Sequence, residues 1–219
     1  MNALSDHALL MDRIYRWQRR FGIYDATRKY YLLGRDPLLA GLRPAPGGAV
    51  LEIGCGTGRN LVKAAGLYPE ARFHGIDISQ EMLTAAETAV AGAGLHDRIR
   101  LARADAAAFD PQVAFGQGSY DRIFISYAVS MIPQWQKVVT EATARLAPGG
   151  ELHIADFGDM QGLPGWFKRA VTAWLGWHHV TPRADLFDFA AELAGAHAGR
   201  SEAKRLHRGF SWIAIIRMP

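Results

Sequence analysis

The sequence predicts a doubly wound α/β domain, in which helices cover both faces of a mostly parallel sheet. From residue 49 onward, short apolar segments alternate with helical patterns of about 10 to 15 residues, which is the arrangement of βαβ crossovers. The glycine-rich stretch VLEIGCGTGRN spans the end of the first apolar segment, where parallel sheets build ligand-binding turns. The terminal stretch SEAKRLHRGFSWIAIIRM predicts two strands around Arg208 and Gly209, and therefore an antiparallel hairpin at one edge.

The elements follow in order from the residue patterns. Before Pro44 the pattern is helical, with a helix-start signal at Asp36-Pro37, and the turn RPAPGG ends this segment. We therefore expect an N-terminal helical lid or substrate segment at 1–44 and a core at 45–219, with a helical insertion at 160–198. Ser79 is the expected N-cap of the helix that follows it. Strands are predicted in AVLEIG, RFHGIDIS, RIRLARAD, YDRIFISYAV and ELHIADF, and helices in RNLVKAAGLYP, QEMLTAAETAVAGAG and QWQKVVTEATARLAPGG.

Length and composition are those of a globular protein with one domain. The 219 residues are 49% hydrophobic and 21% charged, which is ordinary for a folded chain. Cys55 is the only cysteine, so no internal disulfide can form, and a reducing, cytoplasmic compartment fits. The start of the chain lacks the order of a signal peptide, and no run of about 18 apolar residues predicts a membrane span.

Basic residues concentrate near the start of the chain. Between Arg13 and Arg35 lie seven lysines or arginines and a single acidic residue, Asp25. Such a segment suits an anionic partner: a lipid surface, a nucleic acid or an acidic ligand. A solvated helix face explains the same charges without any partner, so charge alone does not choose.

The glycine-rich turn indicates the kind of ligand. A dinucleotide site has the spacing G-x-G-x-x-G, but here the third glycine comes one residue early, at Gly58, and Arg59 takes the last position. Glu52, two residues before Gly54, would repel a pyrophosphate and attract an ammonium group. We therefore expect a ligand with a nucleoside and an amino-acid-like cation rather than two phosphates.

Acidic residues end three successive predicted strands. Glu52 ends the first, Asp77 ends the second, 19 residues after Gly58, and Asp105 follows the third. Asp77 suits the two ribose hydroxyls, and Asp105 suits an adenine exocyclic amine. Each acid alone has a structural explanation, since aspartate is common in turns and Asp77 could simply begin the helix at Ser79. Together they predict a nucleoside site at one edge of the sheet.

The motifs VLEIGCGTG, GIDIS, ADAAAFD and LAPGGELHIADF together resemble the class I S-adenosylmethionine-dependent methyltransferases over residues 48–218. The resemblance implies a seven-stranded, Rossmann-like methyltransferase sheet and S-adenosyl-L-methionine as cofactor. It implies that the three glycines pack under the cofactor, with Glu52 near its amino group, Asp77 at the ribose, and Asp105 with Ala106 at the adenine. Cys55 is expected to be a small buried residue rather than a nucleophile. The expected cofactor-binding residues are Tyr31, Arg35, Glu52, Gly54, Cys55, Gly56, Gly58, Asp77, Ile78, Asp105, Ala106 and Ser126.

The segment after the fourth strand bears on the acceptor. Methyltransferases of nucleobase amines usually carry Asp/Asn-Pro-Pro-aromatic there, whereas this chain has SYAVSMIPQW, beginning at Ser126. We therefore expect no nucleic-acid partner, although other RNA-modifying classes also lack the motif.

The N-terminal segment MDRIYRWQRRFGIYDATRKYYLLGRD resembles the start of the bacterial N-methyltransferases of betaine-lipid synthesis. In that family the pattern YD-x-TR-x-YYLLGRD precedes the nucleotide-binding core. The resemblance implies trimethylation of diacylglyceryl-homoserine to diacylglyceryl-N,N,N-trimethylhomoserine, after the step of a separate aminocarboxypropyl transferase. Relatives that methylate phosphatidylethanolamine share the core. The matching residues are Tyr24, Asp25, Arg28, Tyr31, Gly34 and Arg35.

A cationic methyl donor and a cationic product favour aromatic side chains around the acceptor. We choose Tyr24, on the expected lid, and Tyr127, at the end of the fourth strand, as catalytic residues. The amine must lose its proton before transfer, and a tyrosine, a water or a carboxylate such as Asp156 could accept it. His153 lies in the middle of a strand, so we expect it to be structural.

The stretch LPGWFKRAVTAWLGWHHVTPR predicts a helix with one aromatic stripe, because Trp166, Ala170, Trp174 and Trp177 share a face. Tryptophans with cations beside them are typical of a helix in a lipid interface. We therefore expect a lipid head-group amine as acceptor and peripheral binding to an anionic membrane surface. A helix packed on the sheet or on another subunit would show the same stripe. The rival functions are a small-molecule or quinone methyltransferase and a non-catalytic, cofactor-binding partner of nucleic acid.

Overall fold

The computed structural model describes residues 32–178 and 180–219, which form one seven-stranded sheet with helices on both faces. The strands are β1 (Ala49–Ile53), β2 (Arg72–Asp77), β3 (Ile99–Arg103), β4 (Tyr120–Ser126), β5 (Leu146–Phe157), β6 (Arg200–Leu206) and β7 (Ser211–Arg217). Their order across the sheet is β3-β2-β1-β4-β5-β7-β6. Strands β1 to β5 run parallel, and β7 lies antiparallel between β5 and β6. The predicted doubly wound fold and its terminal hairpin are confirmed.

The described helices divide between the two faces of the sheet. Side chains of α1, α2 and α3 join one core, and those of α4, α5 and α7 join the other. The helices are α1 (Arg35–Gly41), α2 (Arg59–Leu67), α3 (Gln80–Gly92), α4 (Pro111–Phe115), α5 (Trp135–Ala144), α6 (Gly165–Trp177) and α7 (Leu186–Ala196).

The central strands are apolar because both of their faces are buried. In β4, Phe124 joins the core on the side of α2, whereas Ile123 and Ile125 join the core on the side of α5. None of the three side chains has exposed surface. This burial on both faces produces continuous apolar runs instead of alternation.

The boundary between α5 and β5 differs from the prediction. The helix predicted through Gly150 ends at Ala144, and β5 begins at Leu146, which pairs with Tyr120 of β4. The sequence pattern misses the start of this strand because LAPGG contains a proline and two glycines, and neither residue type favours a strand.

Two smaller elements also differ. The predicted strand YDRIFISYAV ends at Ser126, because Tyr127 takes a φ of +55°, outside strand geometry. Helix α4 is too short for periodicity to predict, and its signals are local. Asp110 caps it by accepting from the amide of Gln112, and Pro111 occupies its first position.

The described end of the predicted N-terminal segment packs on the core. Helix α1 buries Leu38 and Leu39, and the hydroxyl of Tyr68, beyond α2, donates to the carbonyl oxygen of Leu39 at 2.9 Å. The candidate residues Tyr24 and Tyr31 belong to the part of the chain, residues 1–31, that lies outside the described residues.

The predicted insertion at 160–198 contains α6 and α7. Helix α7 buries Leu186, Ala190 and Ala194, whereas α6 buries only Leu175. Within the described ranges, none of the helices has both the length and the apolar character that crossing a membrane requires.

Candidate functional site

The glycine-rich turn lies where the strand order reverses, between β1 and β4, and it leads into α2. The amides of Gly54 and Cys55 both donate to the carbonyl oxygen of Ile76 at 2.9 Å, which folds the turn over the end of β2. Gly54, Gly56 and Gly58 have φ values of +73°, +53° and +73°, a region that favours glycine. A side chain at Gly54 would collide with the loop after β4, whereas the space beside Gly56 is open. The turn therefore presents bare backbone to a ligand.

Asp77 ties this turn to the end of β2. Its Oδ2 accepts a hydrogen bond from the amide of Gly56 at 2.8 Å, and its Oδ1 accepts one from the amide of Ser79 at 2.9 Å. Ser79 caps α3 as expected, since its hydroxyl oxygen accepts from the amide of Met82. Asp77 thus stabilises both the start of α3 and the glycine turn. Each carboxylate oxygen has two lone pairs, so the same side chain can also accept a hydrogen bond from a ribose hydroxyl.

Glu52 is a buried carboxyl group at the end of β1. It has no exposed surface, and Nδ2 of Asn60 donates to its Oε1 at 2.8 Å. Its Oε2 is buried and has no hydrogen-bond partner in the described part of the chain. Burial raises the pKa of Glu52 well above its ordinary value of 4.5, while the Asn60 hydrogen bond and the charge of Arg35 oppose the rise. A cation against Oε2 would favour the carboxylate form.

Two further orphaned polar atoms lie at the carboxyl ends of β3 and β4. Oδ1 of Asp105 accepts from the amide of Ala107 at 2.9 Å, but Oδ2 is buried without a partner among the described residues. The hydroxyl of Ser126, which ends β4, is also buried, and residues 32–178 and 180–219 offer it no partner. Since buried polar atoms are almost always paired, these atoms and Oε2 of Glu52 indicate a polar ligand. The half-buried residues Ile78 and Ala106 directly follow Asp77 and Asp105 in the chain.

Arg35 brings positive charge to the same region. It is the first residue of α1 and is only 9% exposed. Its positive charge opposes the burial-driven rise in the pKa of both Glu52 and Tyr127. A buried guanidinium can hold the carboxylate group of a ligand, because its planar N–H donors match the two carboxylate oxygens.

Tyr127 follows β4 as expected, and its hydroxyl is engaged within the protein. It accepts from the amide of Gly34 at 3.0 Å and shares a hydrogen bond with Oγ of Ser211 at 2.7 Å. Its ring meets the ring of Phe157 edge to face, with centroids 4.8 Å apart. Burial raises the pKa of Tyr127 to about 12, so the hydroxyl stays protonated near neutral pH. The geometry favours a positioning role for Tyr127 over proton transfer.

Cys55 and His153 have the structural environments that the sequence predicts. Burial raises the pKa of the Cys55 thiol well above its ordinary value of 9.0, so little of the nucleophilic thiolate forms. His153 is buried in β5, with Nε2 at 2.7 Å from Oε2 of Glu151. Neither side chain is suited to the chemistry of methyl transfer.

Asp156, one of the proton acceptors that the sequence allows, binds backbone amides in the structure. Its side chain has no exposed surface. Its Oδ2 accepts from the amide of Ser130 at 3.0 Å and its Oδ1 from the amide of Phe157 at 2.8 Å. Although burial raises its pKa to about 6, both oxygens already hold the backbone. Asp156 therefore fixes the loop after β4.

Asn60 is a site residue that the sequence interpretation missed. It closes the motif VLEIGCGTGRN, on the first turn of α2, and its amide group orients Glu52. The sequence could have indicated this contact, because Asn60 lies only eight residues after Glu52. A helix that begins directly after the glycine turn places its first residues beside the end of the preceding strand. The structure thus gathers Arg35, Glu52, the glycine turn and Asp77 at the reversal of strand order, with the ends of β3 and β4 beside them.

Comparison with known proteins agrees with this architecture. A family model described as a methyltransferase domain matches residues 50–150. A phosphatidylethanolamine N-methyltransferase of Cereibacter sphaeroides is 31% identical over 191 residues, which cover 85% of this chain and 86% of the relative. A demethylmenaquinone methyltransferase of Listeria monocytogenes is 28% identical over 139 residues, 63% of this chain and 56% of that protein.

Solved structures resemble the fold. The S-adenosylmethionine-dependent methyltransferase SibL in its apo form superposes with a TM-score of 0.71 at 18% identity, and the match covers 90% of this chain and 58% of that one. This chain therefore shares the overall fold of that protein.

Proposed function

Because this chain belongs to the class I S-adenosylmethionine-dependent methyltransferases, we propose that it methylates the amine of a lipid head group. The acceptor is diacylglyceryl-homoserine and the product is its N,N,N-trimethylated betaine lipid. A separate enzyme that transfers an aminocarboxypropyl group would supply this acceptor, since the homoserine head group must be built before it is methylated.

The extent of one match carries the proposal of a lipid acceptor. Eighty-five per cent of 219 residues is about 186, more than the 175 residues from 45 to 219. The similarity to the phosphatidylethanolamine N-methyltransferase therefore extends into the predicted substrate segment at 1–44. The shorter match to the quinone enzyme, at 63% of the chain, does not have to extend there.

The donor set fits S-adenosylmethionine. We assign Oε2 of Glu52 to its ammonium, Arg35 to its carboxylate and Asp77 to the ribose hydroxyls. Oδ2 of Asp105 accepts from the exocyclic amine of the adenine. Ser126, Ile78, Ala106 and Cys55 line the same cradle, and Tyr31 keeps its predicted role there. Three of the assigned residues carry buried atoms that the described fold leaves without a partner, namely Oε2 of Glu52, Oδ2 of Asp105 and the hydroxyl of Ser126. The open space beside Gly56 leaves backbone accessible to the same ligand.

When bound, S-adenosylmethionine supplies an electrophilic methyl group on a positively charged sulfur. The protein's own residues must hold the acceptor amine in line with that methyl group and exclude water, which lowers the barrier by orientation. Desolvation favours the neutral amine that can attack. Tyr127 fixes Gly34, the residue before Arg35, and so positions the cofactor carboxylate. Tyr24 is our candidate for direct contact with the acceptor.

Helix α6 supports a membrane-bound acceptor. Trp166 and Trp177 are 67% and 87% exposed, and Lys168 and Arg169 are exposed on the same helix. Indole rings with neighbouring cations suit the head-group region of an anionic bilayer. We propose that the protein acts as a peripheral enzyme on the cytoplasmic leaflet.

The decisive experiment is incubation of the full chain with isotopically labelled S-adenosylmethionine and vesicles of one lipid class at a time. We expect label in diacylglyceryl-homoserine, as successive additions of one, two and three methyl groups in the mass spectrum. Label in phosphatidylethanolamine alone would assign the other lipid amine. Label confined to a demethylated quinone or to a water-soluble amine would overturn the lipid proposal.

A further inference from the structure

An apolar groove lies between α6 and the β6–β7 corner. It encloses about 400 Å³, within the range of small-molecule pockets. The helix contributes Phe167, Val171 and Trp174, which recur at steps of four and three on one side. The groove is completed by Leu33, Leu163, His207 and Phe210.

The groove exists because α6 does not pack fully onto the sheet. Of its thirteen residues only Leu175 is buried, so residues 32–178 and 180–219 leave the apolar face toward the hairpin open. Apolar surface left in water is unfavourable, and a cover of matching chemistry would stabilise it. The same helix carries Lys168 and Arg169 and no acidic residue, so an occupant that arrives from an anionic surface is favoured.

The groove connects with the candidate site through side chains. Phe210, in its wall, meets Phe157 with ring centroids 5.9 Å apart, and Phe157 meets Tyr127 at 4.8 Å. On the other side, Leu33 at the rim precedes Gly34, whose amide donates to the Tyr127 hydroxyl. The groove wall is therefore linked to Tyr127, which follows β4, by two successive ring contacts.

We propose that this groove holds one acyl chain of the lipid acceptor while its amine is methylated, an inference that rests on the proposed function above. The exposed tryptophans at the two ends of α6 keep the helix at the bilayer surface. The groove then withdraws one chain partway from the bilayer and gives the head group a fixed distance from the methyl donor. The enzyme would therefore select lipids by chain as well as by head group.

The test uses acceptors with one acyl chain of increasing length, each kept below its aggregation concentration so that no membrane is present. Each methylene taken from water strengthens binding about fourfold. We therefore expect KM to fall about fourfold per added methylene until the groove is full, with kcat nearly constant.

Val171→Trp, which fills the groove, should make KM nearly independent of chain length. Thr172→Trp, on the exposed side of α6, should leave the dependence of KM on chain length unchanged. A head group without a chain should be methylated equally by both variants.

A binding measurement separates this inference from the proposed function. A single-chain amphiphile brominated on its chain should quench tryptophan fluorescence of the full-length protein, and Trp174→Phe should remove most of that quenching. Affinity for S-adenosylhomocysteine should match the unmodified protein in every variant, which verifies folding. Quenching at Trp174 without methylation of any lipid would support the groove as a chain-binding site and reject the proposed lipid methyltransferase activity. A KM independent of chain length, with no quenching at Trp174, would overturn the inference and assign the groove to another segment of the chain or to a second copy.

Discussion

Glu52 illustrates how a single buried residue selects the charge of a ligand. Its Oε1 is satisfied by Asn60, whereas its Oε2 has no partner in residues 32–178 and 180–219. Burial raises its pKa, so the ligand-free protein tends to keep the group protonated. A pyrophosphate would meet a neutral acid or a repelling anion there, whereas an ammonium group stabilises the carboxylate. We propose on this basis that Glu52 disfavours dinucleotides, which is also what the sequence predicts.

Glu52 also predicts a pH dependence of cofactor binding. Because an ammonium ligand binds the carboxylate form, the protein must release a proton below the raised pKa, and affinity should increase with pH by up to about tenfold per unit. Titration calorimetry with S-adenosylhomocysteine below neutral pH, in two buffers of different ionisation enthalpy, measures the released proton. Glu52→Gln should bind more weakly and without the released proton. Asp110→Asn, at the exposed cap of α4, should behave like the unmodified protein.

Asp77 shows why residue patterns alone left two explanations open. The sequence allows it either to bind a ligand or to start a helix, and the structure gives it contacts with both Gly56 and Ser79. The two explanations do not compete, because one carboxylate has enough lone pairs for the backbone and for a ribose. Spacing could identify the residue but not this shared use.

At the scale of elements, the sequence predicts best what periodicity and turn chemistry determine. Strands β1 and β4 carry apolar residues on both buried faces and stand out in the sequence, and the turn at Arg208-Gly209 sets the hairpin. The start of β5 at Leu146 depends on pairing with Tyr120, a partner that lies 26 residues earlier and cannot be seen locally. The groove beside α6 likewise depends on the distance between α6 and the β6–β7 corner, which no single stretch of sequence determines.

Helix α6 predicts membrane binding through its exposed rings. Replacing Trp166 and Trp177 together by alanine should weaken binding to anionic vesicles by about tenfold or more, since burying an aromatic side chain contributes about 1.5 to 3 kcal/mol when complete. Vesicle flotation measures the bound fraction. Val113→Ala removes an apolar side chain that is 84% exposed on α4 and should leave flotation unchanged. Equal flotation of the double variant and the unmodified protein would exclude α6 as the docking surface.

At the scale of the whole molecule, the site depends on contacts between distant parts of the chain. The ends of β1 to β4 supply the cradle, and Arg35 reaches it from α1. Tyr127 joins these parts, because its hydroxyl holds Gly34 and Ser211, which lie 93 and 84 residues away. This buried hydroxyl is one of the contacts that fasten the described end of the segment 1–44 to the sheet, and Nε of Arg122 in β4, which donates to the carbonyl oxygen of Leu42, is another.

Tyr127→Phe tests this connection. Losing the hydroxyl leaves the Gly34 amide without its acceptor, so we expect a loss of about 1 to 3 kcal/mol in the free energy of unfolding, together with weaker cofactor binding because Arg35 loses its support. Denaturant unfolding and calorimetry measure the two effects. Tyr120→Phe is the matched control, since its buried hydroxyl pairs with Nδ1 of His74 at 2.9 Å, at the far end of β4. It should lower stability similarly and leave cofactor affinity intact. Equal affinity in both variants would reduce Tyr127 to a core residue.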